Sequence, residues 1–255
     1  MNNKIGVLLG LALGAIGIMG QSASAAEIKI LTTGAFKQVV VALVPEFEKA
    51  TGHKVVVDNG TVGQLTQRVE NGEAFDVLVL SPRGIENFIK KGRIVAGTSA
   101  NLAKVGVGVM VKVDAPKPNI DSVEAFKQAL LNAKSVAYID PASGGSSGIY
   151  VSGLLDKLGI AEQIKPKAKL KNGGHVSDLI VSGEAEIGIH QISEIVSQKG
   201  VTLVGPLPAA IQNYTVYAVG LGSGTSHTDA AKAFIKVLTG PSAAPVLKLT
   251  GMEGA

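Results

Sequence analysis

The sequence has no cysteine and no tryptophan, and aromatic residues make up only 4% of its 255 positions. Without cysteine there is no disulfide framework, no thiolate metal site and no lipid-bearing cysteine behind a leader. Charge is sparse as well. Asp, Glu, Lys and Arg account for 17%, and the net charge of +4 has no dense basic cluster behind it, which argues against nucleic acid as a partner. There is no P-loop and no pair of histidines four residues apart, so the sequence indicates neither a cofactor nor a metal. What is plentiful is apolar residue, at 46%, and glycine, at 32 positions. That content excludes a disordered chain, and the length suits one large domain or two small lobes.

The N-terminus reads as an address. Lys4 precedes an uncharged stretch from Ile5 to Gly20, and Ala23-Ser24-Ala25 has the small-x-small pattern of a signal peptidase site. The stretch is shorter than the roughly 20 residues of a membrane span. The expectation is a leader over 1–25 cleaved after Ala25, and a mature protein free in an exported compartment, most simply the periplasm.

Beyond the leader, short β-rich runs alternate with helical patterns, as in a parallel α/β sheet. Residues 28–31 alternate as a strand, and Phe36, Val39, Val40, Leu43 and Phe47 repeat at helical spacing, with Pro45 predicting a break at Val44. Strands are expected at 54–57, 75–80, 105–113, 135–139, 186–189 and 214–221, and a final helix at 229–238. Asp121 and Glu124 are spaced like a capping box. Lys165, Lys167, Lys169 and Lys171 alternate as on a solvated strand face. Two crossings, after Val113 and at 205–208, predict two lobes: 26–112 with 212–255, and 113–211.

Three strand-to-helix loops carry hydroxyls or glycines where a helix begins: Thr32-Thr33-Gly34, Gly60-Thr61, and 143–147 with Ser146 and Ser147. Helix N-termini hold anions through unpaired N–H groups, and in parallel sheets such loops gather at the carboxyl ends of the strands. The same residues also serve as plain caps and turns. Arg83, after Ser81-Pro82, is a further candidate for an anionic ligand. An exported serine hydrolase using Ser146 is the alternative, because Gly144-Gly145-Ser146-Ser147-Gly148 matches G-x-S-x-G and His175, His190 and His227 are available as bases. The nucleophile elbow requires the strand to run straight into its serine, and residues 140–143 intervene. The chain is therefore expected not to be an enzyme.

The segments I-K-I-L-T-T-G-A-F, N-G-T-V-G-Q-L-T-Q-R-V-E-N-G-E-A-F-D-V-L-V-L-S-P, D-P-A-S-G-G-S-S-G-I-Y and V-S-D-L-I-V-S-G-E-A-E-I-G-I-H resemble those of the periplasmic molybdate-binding proteins of ABC importers. The resemblance spans nearly the whole mature chain. It implies a two-lobed type II periplasmic binding fold that closes on a small anion and delivers it, as a monomer, to a membrane permease. By position, the family's first-loop serine falls near Thr33, Gly34 and Ala35, with Ala35 its strict counterpart, and the second-loop hydroxyl falls at Thr61. The donor of the Gly-Ser segment falls near Ser146 or Ser147, the backbone donor at Val176, and the family's tyrosine at Gln191, beside His190. Loss of that serine and tyrosine and a longer Gly-Ser loop weaken the case for a compact oxyanion. A wider pocket with Gln191, His190 and Arg83 would suit a di- or tricarboxylate. Molybdate or tungstate and a small organic polyacid both remain open at this point.

Overall fold

The computed structural model describes residues 25–255. The expected leader lies outside the described residues but for Ala25. The first half begins with β1 (Glu27–Thr33), α1 (Gly34–Thr51), β2 (Lys54–Gly60), α2 (Val62–Glu70), β3 (Val77–Leu80), α3 (Pro82–Lys90) and the long β4 (Ala100–Lys112). The chain then forms α4 (Val123–Asn132), β5 (Val136–Ile139), α5 (Ser146–Lys157), α6 (Ala161–Ile164), β6 (Ala168–Lys171), α7 (Ser177–Val181), β7 (Ile187–Gln191), α8 (Ile192–Val196) and β8 (Val201–Pro206). It returns through β9 (Tyr214–Leu221), α9 (Thr228–Thr239), α10 (Ala243–Leu249) and a short β10 (Glu253–Gly254). No described helix is long and apolar enough to cross a membrane.

The sheet is mixed rather than parallel. β1 runs parallel to β2 and β3, and β5 parallel to β6 and β7. β9 lies antiparallel to β3 and β4, and β4 antiparallel to β7, β8 and β10. The central parallel strands are apolar on both faces because both are covered. In β3, Val77 and Val79 face α1, α9 and α10, while Leu78 and Leu80 face α2 and α3. A second pair of cores repeats this arrangement. Val107, Val109 and Val111 of β4 pack with Phe126, Leu130, Val151 and Leu154, and Met110 packs on the other face with Val176, Ile180 and Ile195. The described chain thus has the α/β architecture and paired cores expected of the two-lobed fold.

Strand β4 belongs to both halves. Its residues up to Gly106 pair with β9, and from Val107 onward it pairs with β7 and β8. The change of partner therefore falls between Gly106 and Val107, inside a continuous strand and ahead of the Pro-rich segment after Val113. The side chain of Gln212 completes the crossing: its Oε1 accepts from the Val107 N–H at 2.9 Å and its Nε2 donates to the Val107 carbonyl at 2.9 Å.

Several local expectations are corrected. α1 continues through Pro45. Pro45 sits on the exposed side of the helix and Val41, whose carbonyl loses its partner, is 44% exposed, so water can serve that carbonyl. The cap of α4 is Ser122, accepting from the Ala125 N–H at 3.1 Å, rather than Asp121. Lys165 and Lys167 belong to a single 3-10 turn before β6, and the Lys167 ammonium donates to the carbonyls of Leu131 and Ala133 at the end of α4. Residues 201–206 form a strand, and the chain ends with α10 and β10 rather than with the helix near 229–238.

Gln212 gives a direct test of the crossing. Gln212→Leu leaves the Val107 N–H without its acceptor and is expected to lower stability by about 1–3 kcal/mol in urea denaturation. A loss below about 0.5 kcal/mol would mean that the crossing does not depend on this side chain.

Candidate functional site

Four strands end at one place. The register of β1 with β2 sets Thr33 beside Gly60, while Ile139 ends β5 and Gln191 ends β7. Between these ends lies a cavity of about 40 Å³, lined by residues of both halves. Thr33, Gly34, Ala35, Asn59, Gly60, Thr61 and Tyr217 line it from one side, and Ile139, Gly145, Ser146, Ser147, Gly174, His190, Gln191 and Glu194 from the other.

Two long helices point their N-termini here without a side-chain cap. Thr33 precedes α1 and Gly145 precedes α5, and neither makes a capping hydrogen bond. Neither helix has an acidic residue in its first turn. Neither helix therefore offsets its first N–H groups and positive dipole end with an acid of its own first turn. The Thr33 hydroxyl is fully buried and has no hydrogen-bond partner, and the same is true of His190 Nε2 and Gln191 Oε1. Buried polar atoms without partners are rare, and three of them surround this cavity from both sides.

Thr61, the expected second-loop hydroxyl, is hydrogen-bonded within the protein. Its Oγ1 accepts from the Gln64 N–H at 3.1 Å, and Gln64 Oε1 accepts from the Thr61 N–H at 2.9 Å, a complete capping box. The hydroxyl proton goes to the Ser143 carbonyl of the opposite half. Beside it, the Gly63 N–H donates to the Gly144 carbonyl at 3.1 Å. A Cβ on Gly144, whose φ is +71°, would lie 2.5 Å from the Gly63 Cα, so the two backbones touch only because both residues are glycine. This pair joins the two halves at the mouth of the cavity.

The buried electrostatics concentrate on His190 and Glu194. His190 is 3% exposed and Glu194 6% exposed. His190 Nδ1 lies 3.2 Å from Ser147 Oγ, and its Nε2 lies 3.4 Å from Glu194 Oε2. A Cβ on Gly34 would meet Glu194 Oε1 at 2.6 Å, so the missing side chain at the start of α1 makes room for the carboxyl. Burial pushes Glu194 up to about 8 and His190 down to about 4, the backbone of Gly174 opposing the latter shift and His175 adding to it. Both groups are neutral at pH 7. An ion pair here would lose more solvation than its attraction returns without further hydrogen bonds. Burial likewise holds the Tyr217 phenol protonated, with the Glu194 charge adding to the shift. Gln191 donates to Thr215 Oγ1 at 2.8 Å across the two halves.

Of the residues expected from the sequence, Thr33, Gly34, Ala35, Thr61, Ser146, Ser147, His190 and Gln191 line the cavity. Val176 does not; it is packed into the core below α7, and Gly174 takes the place on the wall. Arg83 is not on the wall either, and its side chain is exposed on the first turn of α3. Among the described residues, the serine bonded to a histidine is Ser147, not Ser146. No group of three or more His, Cys, Asp or Glu capable of holding a metal occurs among the described residues. Sequence reasoning missed Glu194 and Tyr217. The signal for Glu194 was present as a single acid within the apolar run I-S-E-I-V, four residues after His190.

The profile of the family described as bacterial extracellular solute-binding protein matches residues 28–253. A protein of a Pseudomonas species named aconitate isomerase is 29% identical over 253 residues, covering 95% of each chain. The molybdate-binding protein ModA of Azotobacter vinelandii is 30% identical over 251 residues, covering 94% of each chain. The solved structure of the Azotobacter vinelandii periplasmic molybdate-binding protein superposes with a TM-score of 0.74 at 21% identity, over 89% of this chain and 98% of that one.

Raising the carboxyl of Glu194 from its ordinary 4.5 to about 8 makes the fold less stable as pH rises through that window, because the unfolded chain releases the proton first. Glu194→Gln cannot ionise. In thermal or urea melts it is expected to change stability by less than about 1 kcal/mol at pH 5 and to raise it by about 1–3 kcal/mol at pH 9. Parallel wild-type and variant curves across that range would show that the ionised carboxyl is already compensated.

Proposed function

The chain belongs to the bacterial extracellular solute-binding protein family, and we propose that it captures a small, multiply acidic anion between its two lobes. The lobes are taken as 26–112 with 212–255 and 113–211. The compartment is the periplasm, the protein acts as a monomer, and a membrane permease receives the solute.

The observation that carries this reading is the pair of uncapped N-termini, of α1 and α5, facing one cavity whose wall also holds the unpartnered Thr33 hydroxyl. Many oriented neutral dipoles can share the charge of an anion without a cationic side chain. The named relatives bracket the ligand between a tetrahedral oxyanion and an unsaturated tricarboxylate. The wall favours the second. His190 with Glu194 adds a titratable pair that a fully ionised compact oxyanion does not need. The enclosed 40 Å³ is little more than one water's share of the liquid, so a tricarboxylate enters by parting the Thr61–Ser143 and Gly63–Gly144 contacts. The hydrolase built on Ser146 has no such support, since the histidine contact is made by its neighbour.

Thermal melts of the purified protein with molybdate, tungstate, sulfate, citrate and the two aconitate isomers test the ligand class. A ligand at a hundred times its Kd adds about 2.7 kcal/mol, a shift of a few degrees. Shifts with polycarboxylates support the reading, and shifts confined to molybdate and tungstate would overturn it. Thr33→Val removes a hydroxyl that has no partner in the empty cavity. It is expected to weaken binding about tenfold by calorimetry while leaving the unliganded melting point no lower.

A further inference from the structure

We infer that the closed cleft also moves a proton on its occupant, with Glu194 as the acid–base group of a cofactor-free double-bond shift in an unsaturated polycarboxylate. The inference rests on the reading that the cleft takes a polycarboxylate.

A site that only holds an anion needs donors, and a carboxyl on its wall works against it unless that carboxyl carries a proton. Glu194 is set on the wall deliberately by its surroundings. Gly34 vacates the space for Oε1, and Oε2 faces His190 Nε2 at 3.4 Å. The opposite ring nitrogen of His190 faces Ser147 Oγ at 3.2 Å, and Ser147 is again on the cavity wall. The line Glu194–His190–Ser147 therefore begins and ends at the place where a ligand sits. No lysine or arginine contributes to the state of Glu194, and the titratable groups that face it are His190 and Tyr217, with His175 acting on His190. The carboxyl thus takes and gives a proton near neutral pH instead of staying ionised. Two buried groups whose affinities for a proton are driven apart form the usual arrangement of an acid–base site.

The reaction follows from what such a group can do alone. In an unsaturated polycarboxylate, the carbon between a carboxylate and the C=C bond carries the most acidic C–H. Ionised Glu194 takes that proton. The C–H pair forms a new double bond to the adjacent carbon, and the original double-bond pair is pushed onto the distal carbon and its carboxylate. Glu194 then returns the proton to the distal carbon. One proton leaves and one is restored, nothing is oxidised or reduced, no group departs, and no cofactor is required. The uncapped ends of α1 and α5 stabilise the negative charge that builds on the carboxylates as the first C–H bond breaks. His190, whose Nε2 lies 3.4 Å from Glu194 Oε2, and Ser147 behind it are positioning residues for the carboxyl.

Proton NMR of the purified full protein in D₂O, with cis- and trans-aconitate as probes and calorimetry on the same samples, tests the inference. The expected result is deuterium entering the methylene group together with interconversion of the isomers. At saturating probe, Glu194→Gln is expected to reduce the exchange rate by about 100-fold or more, a loss that weaker binding does not explain. The wild-type rate is expected to rise with pH as Glu194 ionises, and His190→Asn to move the inflection of that profile; a purely structural role for His190 would lower the rate without moving it. Binding of either isomer with neither exchange nor interconversion above buffer overturns the catalytic inference and leaves the receptor reading standing. Exchange unchanged in Glu194→Gln overturns the assignment of Glu194. Failure of both isomers to bind in calorimetry overturns the polycarboxylate reading as well.

Discussion

The molecule is organised around a strand that cannot belong to one half alone. β4 hydrogen-bonds to β9 up to Gly106 and to β7 and β8 from Val107 onward. Because side chains and ladders are fixed to the same backbone, the crossing brings the end of β7 next to the start of β9. Gln191 pairs with Val107, His190 with Gly108, and Thr215 with Val105, all within three residues of the switch. The Gln191–Thr215 hydrogen bond then spans the halves at the cavity floor. Gly108 lets this happen: a Cβ there would meet Ile192 Cγ1 at 2.8 Å and Leu203 Cδ1 at 2.9 Å, so the strand could not approach α8 and β8 as closely with any side chain. The polar cavity is a consequence of how two cores share one strand.

That geometry also sets the electrostatics. The helices that follow β1 and β5 start at the cavity, so positive dipole ends are present without a lysine or arginine. The helix after β7 is only five residues long, and it carries Ser193 and Glu194 straight back onto α1, where Ser193 donates to the Ala35 carbonyl at 2.9 Å. Glu194 is thereby placed where its charge would be desolvated and its neutral form is favoured. Favourable places for an incoming anion and an unfavourable place for a resident one are two sides of the same enclosure.

Much of this was legible in the sequence, for local reasons. The strand at 214–221 was readable to the residue because its turn signals bracket an uninterrupted β-rich run, and the three loops with Thr33, Thr61 and Ser146 were readable because glycine and hydroxyl residues punctuate strand-to-helix junctions. The rest depended on partners distant in the chain. β8 contains Gly205 and Pro206 and reads as a crossing, and only its pairing with β4 makes it a strand. The hydrogen bond from the Thr61 hydroxyl to the Ser143 carbonyl, 82 residues away, leaves no trace in the local pattern. Glu194 belongs to a short helix whose spacing from His190 spans a strand end, so neither the helical nor the strand period connects the two. Arg83 was attractive for its charge alone, and the strand that leads to it, β3, ends away from the cavity wall.

The contact between Gly63 and Gly144 has a consequence for how such a molecule diversifies. It seals the two halves with backbone alone, so closing there costs no rotamer freedom and makes no demand on what lies inside. A lineage can therefore exchange residues on the inner wall, as at Ala35 or Gln191, without having to redesign the clasp.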